Sequence, residues 1–535
     1  MARARPMRDS YSHPRSTVYA EHGMAATSHP AASQAALHIL QTGGNAMDAA
    51  VAAAATLAVV EPMSTGVGGD VFCLYAPGGS SDIISYNGSG RAPAAAEAQW
   101  FLDNGIEKIE SESPHAVTVP GTIDAWCRLV DDHGNMEVGE VLRPAIHHAE
   151  EGYTIAPVVH ESWVDAEERL GNDKHAGKVL LVDGKAPARG SIHRQPLLAA
   201  TMKAVAQKGR DGFYTGWVAE DIVAYLGELG GLQTLDDFAA AAGEYVDPIS
   251  TEMNGYRVHE CPPNGQGIVA LMMMNILKGF DIASMDPLSA DRLHLTLEAG
   301  RLAFRDRAEY VADPTMADVP VDILLSDAYA DQLRAQIDPK RAMKEVPGPS
   351  LPSTPNTVYL TVVDKDRNAA SFINSTYFSF GSSRVAPKSG VVLQNRGCGF
   401  VIEPGHRNCI APGKRPMHTI IPAMLTKGDR AVMPFGVMGG DYQPWGHTHV
   451  LQNMLLYGMD PQEALDLPRY SHEHGAAMLE PSIPGHVMHE LARRGHRVQI
   501  TPEAHGGAQA IWIDWEKGTL AGATEPRKDG IALGY

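Results

Sequence analysis

The sequence has few cysteines, and the five that it has are scattered along 535 residues (Cys73, Cys127, Cys261, Cys398 and Cys409). No two of them stand at the spacing of a metal-binding or redox motif. An odd and dispersed set is typical of free thiols in a reducing compartment. The sequence therefore does not predict a scaffold held together by disulfides.

Long apolar stretches are missing as well. The longest run, from Ala49 to Val60, has twelve residues and is mostly alanine, whereas a helix needs about 20 apolar residues to cross a bilayer. The basic N-terminus is not followed by the apolar segment of a secretion signal. We expect a cytoplasmic, soluble protein without a membrane partner.

Positive charge is in deficit. The chain has 44 Lys and Arg against 63 Asp and Glu, which gives a net charge of −19. Such a balance argues against nucleic acid or an anionic membrane as a partner. With 44% hydrophobic residues, the chain can bury a large core, either as two or three ordinary domains or as one interwoven α/β unit.

A proline-rich segment runs directly into a predicted hairpin. "KEVPGPSLPSTPN" has four prolines among thirteen residues, and we interpret residues 346–356 as a linker. The strands "TVYLTVVD" and "NAASFINS" then flank the turn "DKDRN". This spacing places Val363 opposite Ala369 and Thr357 opposite Ser375, with opposed Cβ atoms about 4.5–5.5 Å apart. The alternative is an ordinary hairpin with a surface threonine.

Two adjacent glycines mark a second site. Gly439 and Gly440 in "GVMGGD" follow a β-run and precede a predicted helix. Without a Cβ atom, such residues let their backbone N–H groups approach a ligand closely. The alternative is a tight strand–helix turn with no further role, and both interpretations can hold together.

Two histidine pairs raise the alternative of a metal-dependent hydrolase. They are His447 with His449, at a predicted helix start, and His472 with His474, in a predicted loop after Pro468. A metal site needs three or more converging ligands, and two side chains at i and i+2 of a helix point apart. We therefore expect no metal and no cofactor.

Four motifs, read in order, resemble the γ-glutamyltranspeptidase superfamily of N-terminal-nucleophile hydrolases. They are "GGNAMDAAVAAAATLAVVEPMSTGVGGD", "NTVYLTVVDKDRNAASF", "PFGVMGGDYQPWGH" and the terminal "EPRKDGIALGY". The resemblance covers the chain from about Ser28 to Tyr535. It implies an α/β (α+β) fold, a four-layer αββα sandwich formed jointly by two subunits cut from one precursor.

The resemblance also implies where the precursor is cut. Cleavage at Asn356–Thr357 would give a large subunit ending at residue 356 and a small subunit of residues 357–535. Residues 1–27 would form an N-terminal tail and residues 28–356 the folded part of the large subunit. The resemblance leaves open a homo-oligomer of this heterodimer.

A threonine that becomes the N-terminus of a chain can act as both nucleophile and base. Its new α-amine has an ordinary pKa of about 7.7–8.0, near the value wanted of a general base at neutral pH. Attacking hydroxyl and base then belong to one residue, Thr357. By resemblance Ser375 hydrogen-bonds this nucleophile, and Gly439 and Gly440 form the oxyanion hole. Water or an amine would accept the acyl group.

The substrate pocket departs from the γ-glutamyl pattern of the family. Alignment on the family's anchors for the glutamate carboxylate and amine places Ser89 at the arginine position, with Arg91 two residues further on. The other anchor positions hold His418 and Thr419 for the serine pair, Tyr377 for the asparagine and Gly399 for the aspartate. A pocket without the aspartate should bind an α-ammonium poorly, because an unpaired buried charge costs several kcal/mol.

These departures favour the branch that resembles oxamate amidohydrolase and cephalosporin-acylase-like members. Arg91 and Arg396 could each offer a guanidinium to a carboxylate, or could be structural salt bridges. We expect an amidohydrolase acting on a small carboxylate-bearing amide, similar to oxamate. The alternatives are a γ-glutamyltransferase or glutathione hydrolase, a cephalosporin (glutaryl) acylase, and a binding module that no longer cleaves.

Overall fold

The structure is a computed structural model that describes residues 15–344, 346, 357–501 and 504–535. Most of the predicted linker, including Asn356, lies outside the described residues, as do residues 1–14. Among the described residues, no helix combines the length and the apolar character that a membrane span requires.

Nineteen strands are present in the described part of the chain. They are β1 (Val18–Ala20), β2 (Met24–Thr27), β3 (Asp70–Ala76), β4 (Ile84–Gly88), β5 (Tyr153–Thr154), β6 (Ile192–His193), β7 (Glu244–Val246), β8 (Ile249–Met253), β9 (Tyr256–Glu260), β10 (Val358–Val363), β11 (Ala369–Ser375), β12 (Ala423–Lys427), β13 (Arg430–Met438), β14 (Tyr470–Glu473), β15 (Ala476–Leu479), β16 (Val498–Ile500), β17 (Gly507–Asp514), β18 (Thr519–Thr524) and β19 (Ile531–Gly534).

Two seven-stranded sheets contain most of these strands. One has the order β19-β2-β10-β11-β3-β4-β7 and the other the order β1-β18-β17-β13-β12-β9-β8. All of their strand pairs are antiparallel. Each sheet combines strands from before and after Thr357, so neither side of the predicted cut forms a sheet alone.

The α-helices of the described residues fall into two groups, a first group of thirteen that precede β7 and a second group of seven that follow β9. They are α1 (Pro30–Gln41), α2 (Ala46–Val60), α3 (Ala98–Asp103), α4 (Thr122–His133), α5 (Val138–Val141), α6 (Arg143–Glu151), α7 (Pro157–Asp165), α8 (Glu167–Gly171), α9 (Lys174–Leu180), α10 (Pro196–Lys208), α11 (Asp211–Tyr214), α12 (Trp217–Glu228), α13 (Leu235–Ala239), α14 (Gly267–Leu277), α15 (Ala290–Tyr310), α16 (Val321–Leu324), α17 (Asp327–Arg334), α18 (Gln443–Leu455), α19 (Pro461–Asp466) and α20 (Gly485–Arg493).

The core has three apolar layers that separate four layers of structure. Side chains of β3, β10 and β11 alternate, so that one set packs against helices of the first group, such as α2, and the other set faces the second sheet. The outer face of the second sheet packs against α14, α15 and α18. This arrangement confirms the αββα sandwich.

Helix α2 supports the strand that follows Thr357. All fifteen of its residues are buried, and it packs directly on β10 and β11. Its many alanines allow this close approach, since they add little volume between helix and sheet. Asn45 caps the helix, and Asp48 completes a capping box.

The predicted N-terminal tail is partly wrong. Within residues 1–27, the described part places β1 at the edge of one sheet and β2 between β19 and β10 in the other. Residues Met24–Thr27 are fully buried, because both neighbouring strands hydrogen-bond to them. These residues belong to the folded unit.

Candidate active site

The predicted hairpin register is confirmed. Val363 pairs with Ala369 and Val358 with Asn374, and the hydroxyl oxygens of Thr357 and Ser375 lie 3.1 Å apart. Thr357 is only 1% exposed, so the alternative of a surface threonine is wrong. The structure thus brings two hydroxyls together where β10 begins, at the end of the undescribed linker.

Tyr377 extends this pair toward the rest of the site. Its backbone N–H donates to Ser375 Oγ at 2.9 Å. Its φ of +82° lies in the left-handed region, which costs a residue with a Cβ atom roughly 1–3 kcal/mol and is common at functional sites. The residue that contacts the serine is therefore held in a conformation that the surroundings must enforce.

The two predicted glycines form the turn between β13 and a short 3-10 segment before α18. Gly439 has φ +122° and Gly440 φ +55°. A Cβ atom at Gly439 would lie 2.8 Å from the Cα atom of Gly506, so only glycine fits. We name residues 439–440 the glycine turn, and its role as an oxyanion hole stays a prediction.

Arg396 is a buried cation beside Tyr377. It is 0% exposed, its Nη1 donates to Thr419 Oγ1 at 2.9 Å, and its Cζ lies 3.8 Å from the centre of the Tyr377 ring. Burial lowers the pKa of this guanidinium to about 10, against the opposing influence of Tyr377 and Asp70. The group therefore remains charged at neutral pH.

One edge of the Arg396 guanidinium has no partner among the described residues. Nε and Nη2 are both buried and make no hydrogen bond there. These two atoms carry the parallel N–H groups that bind a carboxylate side-on. Because leaving a buried charged donor unsatisfied is costly, this open edge indicates a site for an anionic ligand.

His418 is near this arginine but is occupied by the protein itself. Its Nε2 lies 3.1 Å from Asp70 Oδ2, and its Nδ1 accepts the N–H of Ile420 at 3.3 Å. Burial, with Arg396 next in weight, lowers the pKa of His418 to about 4, so Nε2–H donates and the ring is neutral. Both ring nitrogens of His418 are thus engaged by the protein, and its role in substrate binding stays a prediction.

Arg91 is held in a different set of contacts from Arg396. Its Nη1 donates to the carbonyl of Gly413 at 3.0 Å, and its guanidinium lies 3.7 Å from both Glu244 and Asp313. These carboxylates already balance its charge. Arg396 thus fits the predicted carboxylate anchor better than Arg91.

The histidine pairs do not assemble a metal centre in the described part of the chain, where no group of three or more His, Cys, Asp or Glu is placed to hold one. His447 accepts the N–H of Val437 at 3.1 Å and lies 2.6 Å from Glu260. Both of its ring nitrogens are therefore used. The prediction that His472 lies in a loop is wrong, since it is paired in β14.

Four polar residues near the site were missed by sequence reasoning. Asp70 accepts hydrogen bonds from the N–H groups of Gly90 and Gly121 as well as facing His418. Gln266, Arg307 and Asp441 form a connected chain behind the glycine turn. The only signals were a carboxylate directly after glycines, in "GVGGD" and "GVMGGD", and a buried glutamine within "PPNGQG".

Comparison with known proteins finds a matching family model and relatives that cover nearly the whole chain. The family model described as Gamma-glutamyltranspeptidase matches residues 32–535. A glutathione hydrolase-like proenzyme of Bacillus subtilis is 36% identical over 520 residues, with 96% of this chain and 98% of the relative covered. An oxamate amidohydrolase proenzyme of Klebsiella pneumoniae is 35% identical over 529 residues, covering 96% and 98%.

A solved structure extends the similarity to the whole fold. The cephalosporin acylase from Bacillus halodurans superposes with a TM-score of 0.94 and 41% sequence identity, covering 99% of each chain. The family match, the relatives and this neighbour agree with the resemblance drawn from the four motifs. The chain belongs to the gamma-glutamyltranspeptidase family and is an N-terminal-nucleophile hydrolase.

Proposed function

We propose that the chain is a self-processing threonine amidohydrolase that cleaves a small carboxylate-bearing amide, similar to oxamate. The observation that carries this proposal is the open edge of Arg396, a buried cation with two donors that have no partner among the described residues. The nucleophile would be Thr357, whose hydroxyl lies 3.1 Å from that of Ser375.

The precursor would activate itself by an N-to-O acyl shift. The Thr357 hydroxyl attacks the carbonyl carbon of Asn356, the peptide C–N bond breaks, and an ester links the two residues. Water then hydrolyses the ester, which leaves a carboxylate on Asn356 and a free amine on Thr357. This amine supplies the base that a lone threonine hydroxyl lacks.

Amide hydrolysis would follow in two steps. The amine accepts the Thr357 hydroxyl proton while Oγ1 attacks the substrate carbonyl, and N–H groups of the glycine turn stabilise the oxyanion. Such a donor is worth about 2.7–4 kcal/mol in comparable acyl transfer. The ammonium protonates the leaving amine, and water releases the acyl group as a carboxylic acid. Oxamate would yield oxalate and ammonia.

The charges around the site favour a substrate carboxylate and disfavour an α-ammonium. Gly399, aligned with the family's aspartate, offers no carboxylate. Asp441, which follows the glycine turn, is bound by two nitrogens of Arg307, at 2.7 and 3.2 Å. A γ-glutamyl donor would thus bring an ammonium group into a pocket in which Asp441 is already paired.

A glutaryl acylase is the second candidate, because a glutaryl group also ends in a carboxylate that Arg396 could bind. The similarity to a cephalosporin acylase at a TM-score of 0.94 supports it. The two candidates share the mechanism and differ in the length of the acyl chain.

The test combines fragment analysis with a substrate screen. We expect denaturing electrophoresis and mass spectrometry to show two fragments divided between Asn356 and Thr357, with Thr357→Ala uncut and inactive. The cut enzyme should hydrolyse oxamate or glutaryl amides faster than their uncharged analogues and faster than γ-glutamyl amides. An active enzyme that stays one polypeptide would overturn the mechanism, and a preference for γ-glutamyl donors would overturn the substrate class.

A further inference from the structure

One buried side chain, Gln266, connects the two loops that border the proposed acyl site. The Nε2 atom of Gln266 donates to the carbonyl of Gly440 in the glycine turn and to the carbonyl of Thr419, both at 2.8 Å. Gln266 itself is 0% exposed. Both protons of its amide are therefore committed, one to each loop.

Arg307 fixes the position of the Gln266 amide on the side away from the two loops. Arg307 donates from Nη1 to Gln266 Oε1 and from both terminal nitrogens to Asp441. Arg307 is also fully buried, over the ring of Phe304. The acceptor and both donors of the amide are thus used, so the side chain has one orientation and cannot rotate without breaking several buried hydrogen bonds.

The two loops hold the two ends of the proposed substrate. Gly440 belongs to the turn that would bind the oxyanion of the reacting carbonyl. Thr419 holds Arg396 through its hydroxyl at 2.9 Å, and Arg396 would bind the carboxylate. Gln266 lies between them, so it sets the separation between the reacting carbon and the carboxylate anchor.

We propose that Gln266 is a specificity-determining positioning residue that fixes the length of the acyl chain. This inference rests on the proposed function, because it requires a substrate with a carbonyl at one end and a carboxylate at the other. An acyl group that is one methylene too long or too short would satisfy only one end. Since a misplacement of about 1 Å can reduce the rate about 10²-fold, a rigid spacer of this kind gives a sharp length preference.

The test is a chain-length profile of monoamides with two to five carbons: oxamate, malonamate, succinamate and glutaramate. Wild-type enzyme should show one preferred length. In Gln266→Leu, which has similar volume and no hydrogen bonds, the ratio of kcat/KM between the best substrate and its neighbours should fall at least about fivefold, because methylene discrimination of roughly 10–200-fold depends on a fixed spacing.

Gln266→Glu is the second variant, in case Gln266→Leu does not fold. It keeps an acceptor for Arg307 but presents oxygens to the carbonyls of Gly440 and Thr419, so it should flatten the profile too. The matched control is Gln195→Leu, which removes another buried glutamine, bonded to Val59 and Tyr153. This control should keep the wild-type profile even if it lowers stability.

The outcomes separate this inference from the proposed function. A cut wild-type enzyme that hydrolyses none of the four monoamides contradicts the proposed function. A wild-type enzyme with a clear length preference that survives unchanged in a folded, cut Gln266 variant contradicts the inference alone, even if overall activity falls. A flattened profile in that variant, with the control unchanged, supports it.

Discussion

Ser375 shows how one residue can serve two parts of the site. It ends β11, its hydroxyl lies beside that of Thr357, and it accepts the backbone N–H of Tyr377. An oxygen that already accepts one hydrogen bond can still donate its own proton to a neighbouring oxygen. We infer that Ser375 orients the Thr357 hydroxyl both in the precursor and after cleavage.

Replacing Ser375 by alanine should slow catalysis and self-cleavage without unfolding the protein. We expect kcat to fall by roughly 10²-fold, the loss that a misplacement of about 1 Å in the reacting group can cause. The control is Ser371→Ala, which removes a buried hydroxyl bonded to Tyr359 on the same face of β11. Timed electrophoresis and steady-state rates provide the measurements, and equal losses in the two variants would contradict the assignment.

Arg396→Lys should affect substrates according to their charge. Lysine keeps a positive charge but loses the planar pair of N–H groups at the open edge. We expect kcat/KM for a carboxylate-bearing amide to fall roughly 10²-fold, an amount typical for losing a charged hydrogen bond pair, mostly through KM. An uncharged amide should change little. If Arg91 binds the carboxylate instead, Arg91→Lys will give the larger loss.

At the scale of elements, turns explain what the sequence could and could not predict. The length of a five-residue turn between two short strands determines which residues pair, so Thr357 and Ser375 could be placed opposite each other from the sequence. The glycine turn was likewise visible as Gly-Gly between a strand and a helix. The roles of Gln266 and Arg307 could not be predicted, because their partners are far away in sequence. Gln266 is 174 residues from Gly440, and Arg307 is 134 residues from Asp441.

The same limit explains what the sequence could not show about the predicted site residues. The sequence could not show that His418 is engaged by Asp70, 348 residues away. Nor could it distinguish the two arginines, since pairing of Arg91 with Glu244 and Asp313 depends on the fold. Family alignment identified positions, while long-range contacts decide which of those side chains has free donors.

Gly439→Ala should disable the glycine turn while leaving the sheet intact. The new Cβ atom would lie 2.8 Å from Gly506 Cα, at φ +122°, so the turn must shift. We expect kcat to fall by 10²-fold or more, about the loss of one oxyanion donor. Gly458→Ala is the control, because Gly458 also has positive φ but open space around it. Similar kinetics for the two variants would exclude this role.

At the scale of the whole molecule, two helical groups enclose two sheets, and each sheet draws strands from both sides of residue 357. The four layers could be predicted only through the family resemblance, since alternating apolar residues do not reveal which strands pair. The buried state of residues 24–27 was missed for the same reason. Their strand is defined by β10 and β19, which lie far away in sequence.

Stability should depend on pH through a buried histidine pair. His294 Nε2 lies 2.8 Å from the carbonyl of Asp338, and His294 Nδ1 lies 2.8 Å from His496 Nε2. Because a carbonyl only accepts, His294 donates from Nε2 and accepts the His496 proton at Nδ1. Burial, followed by the electrostatic interaction with His294, lowers the pKa of His496 from 6.5 to about 3.

Proton uptake by the unfolded chain sets the direction in which stability changes with pH. Between pH 6.5 and about 3, the unfolded chain binds a proton at His496 that the folded chain does not, so stability is lost as pH falls. Between pH 6.5 and 4.5, proton uptake at His496 in the unfolded chain lowers the free energy of unfolding by up to about 2.7 kcal/mol. The Tm of the His496→Gln variant should therefore fall less between pH 7 and pH 4.5 than the Tm of the wild-type protein. An identical pH dependence in both proteins would contradict this prediction.

The strand that begins after Thr357 lies between β2 and β11, one from each prospective fragment. Within the described residues, five strand pairs, β2–β10, β2–β19, β3–β11, β1–β18 and β9–β12, join the two prospective fragments. Once the backbone is cut, neither piece can leave without breaking these hydrogen-bond ladders and uncovering the face that packs on α2. The nicked enzyme should thus copurify through a tag on either piece. After complete denaturation, however, the two pieces would have to find each other by diffusion. Activity should therefore return poorly on dilution, as expected if the fold forms readily only from the intact precursor.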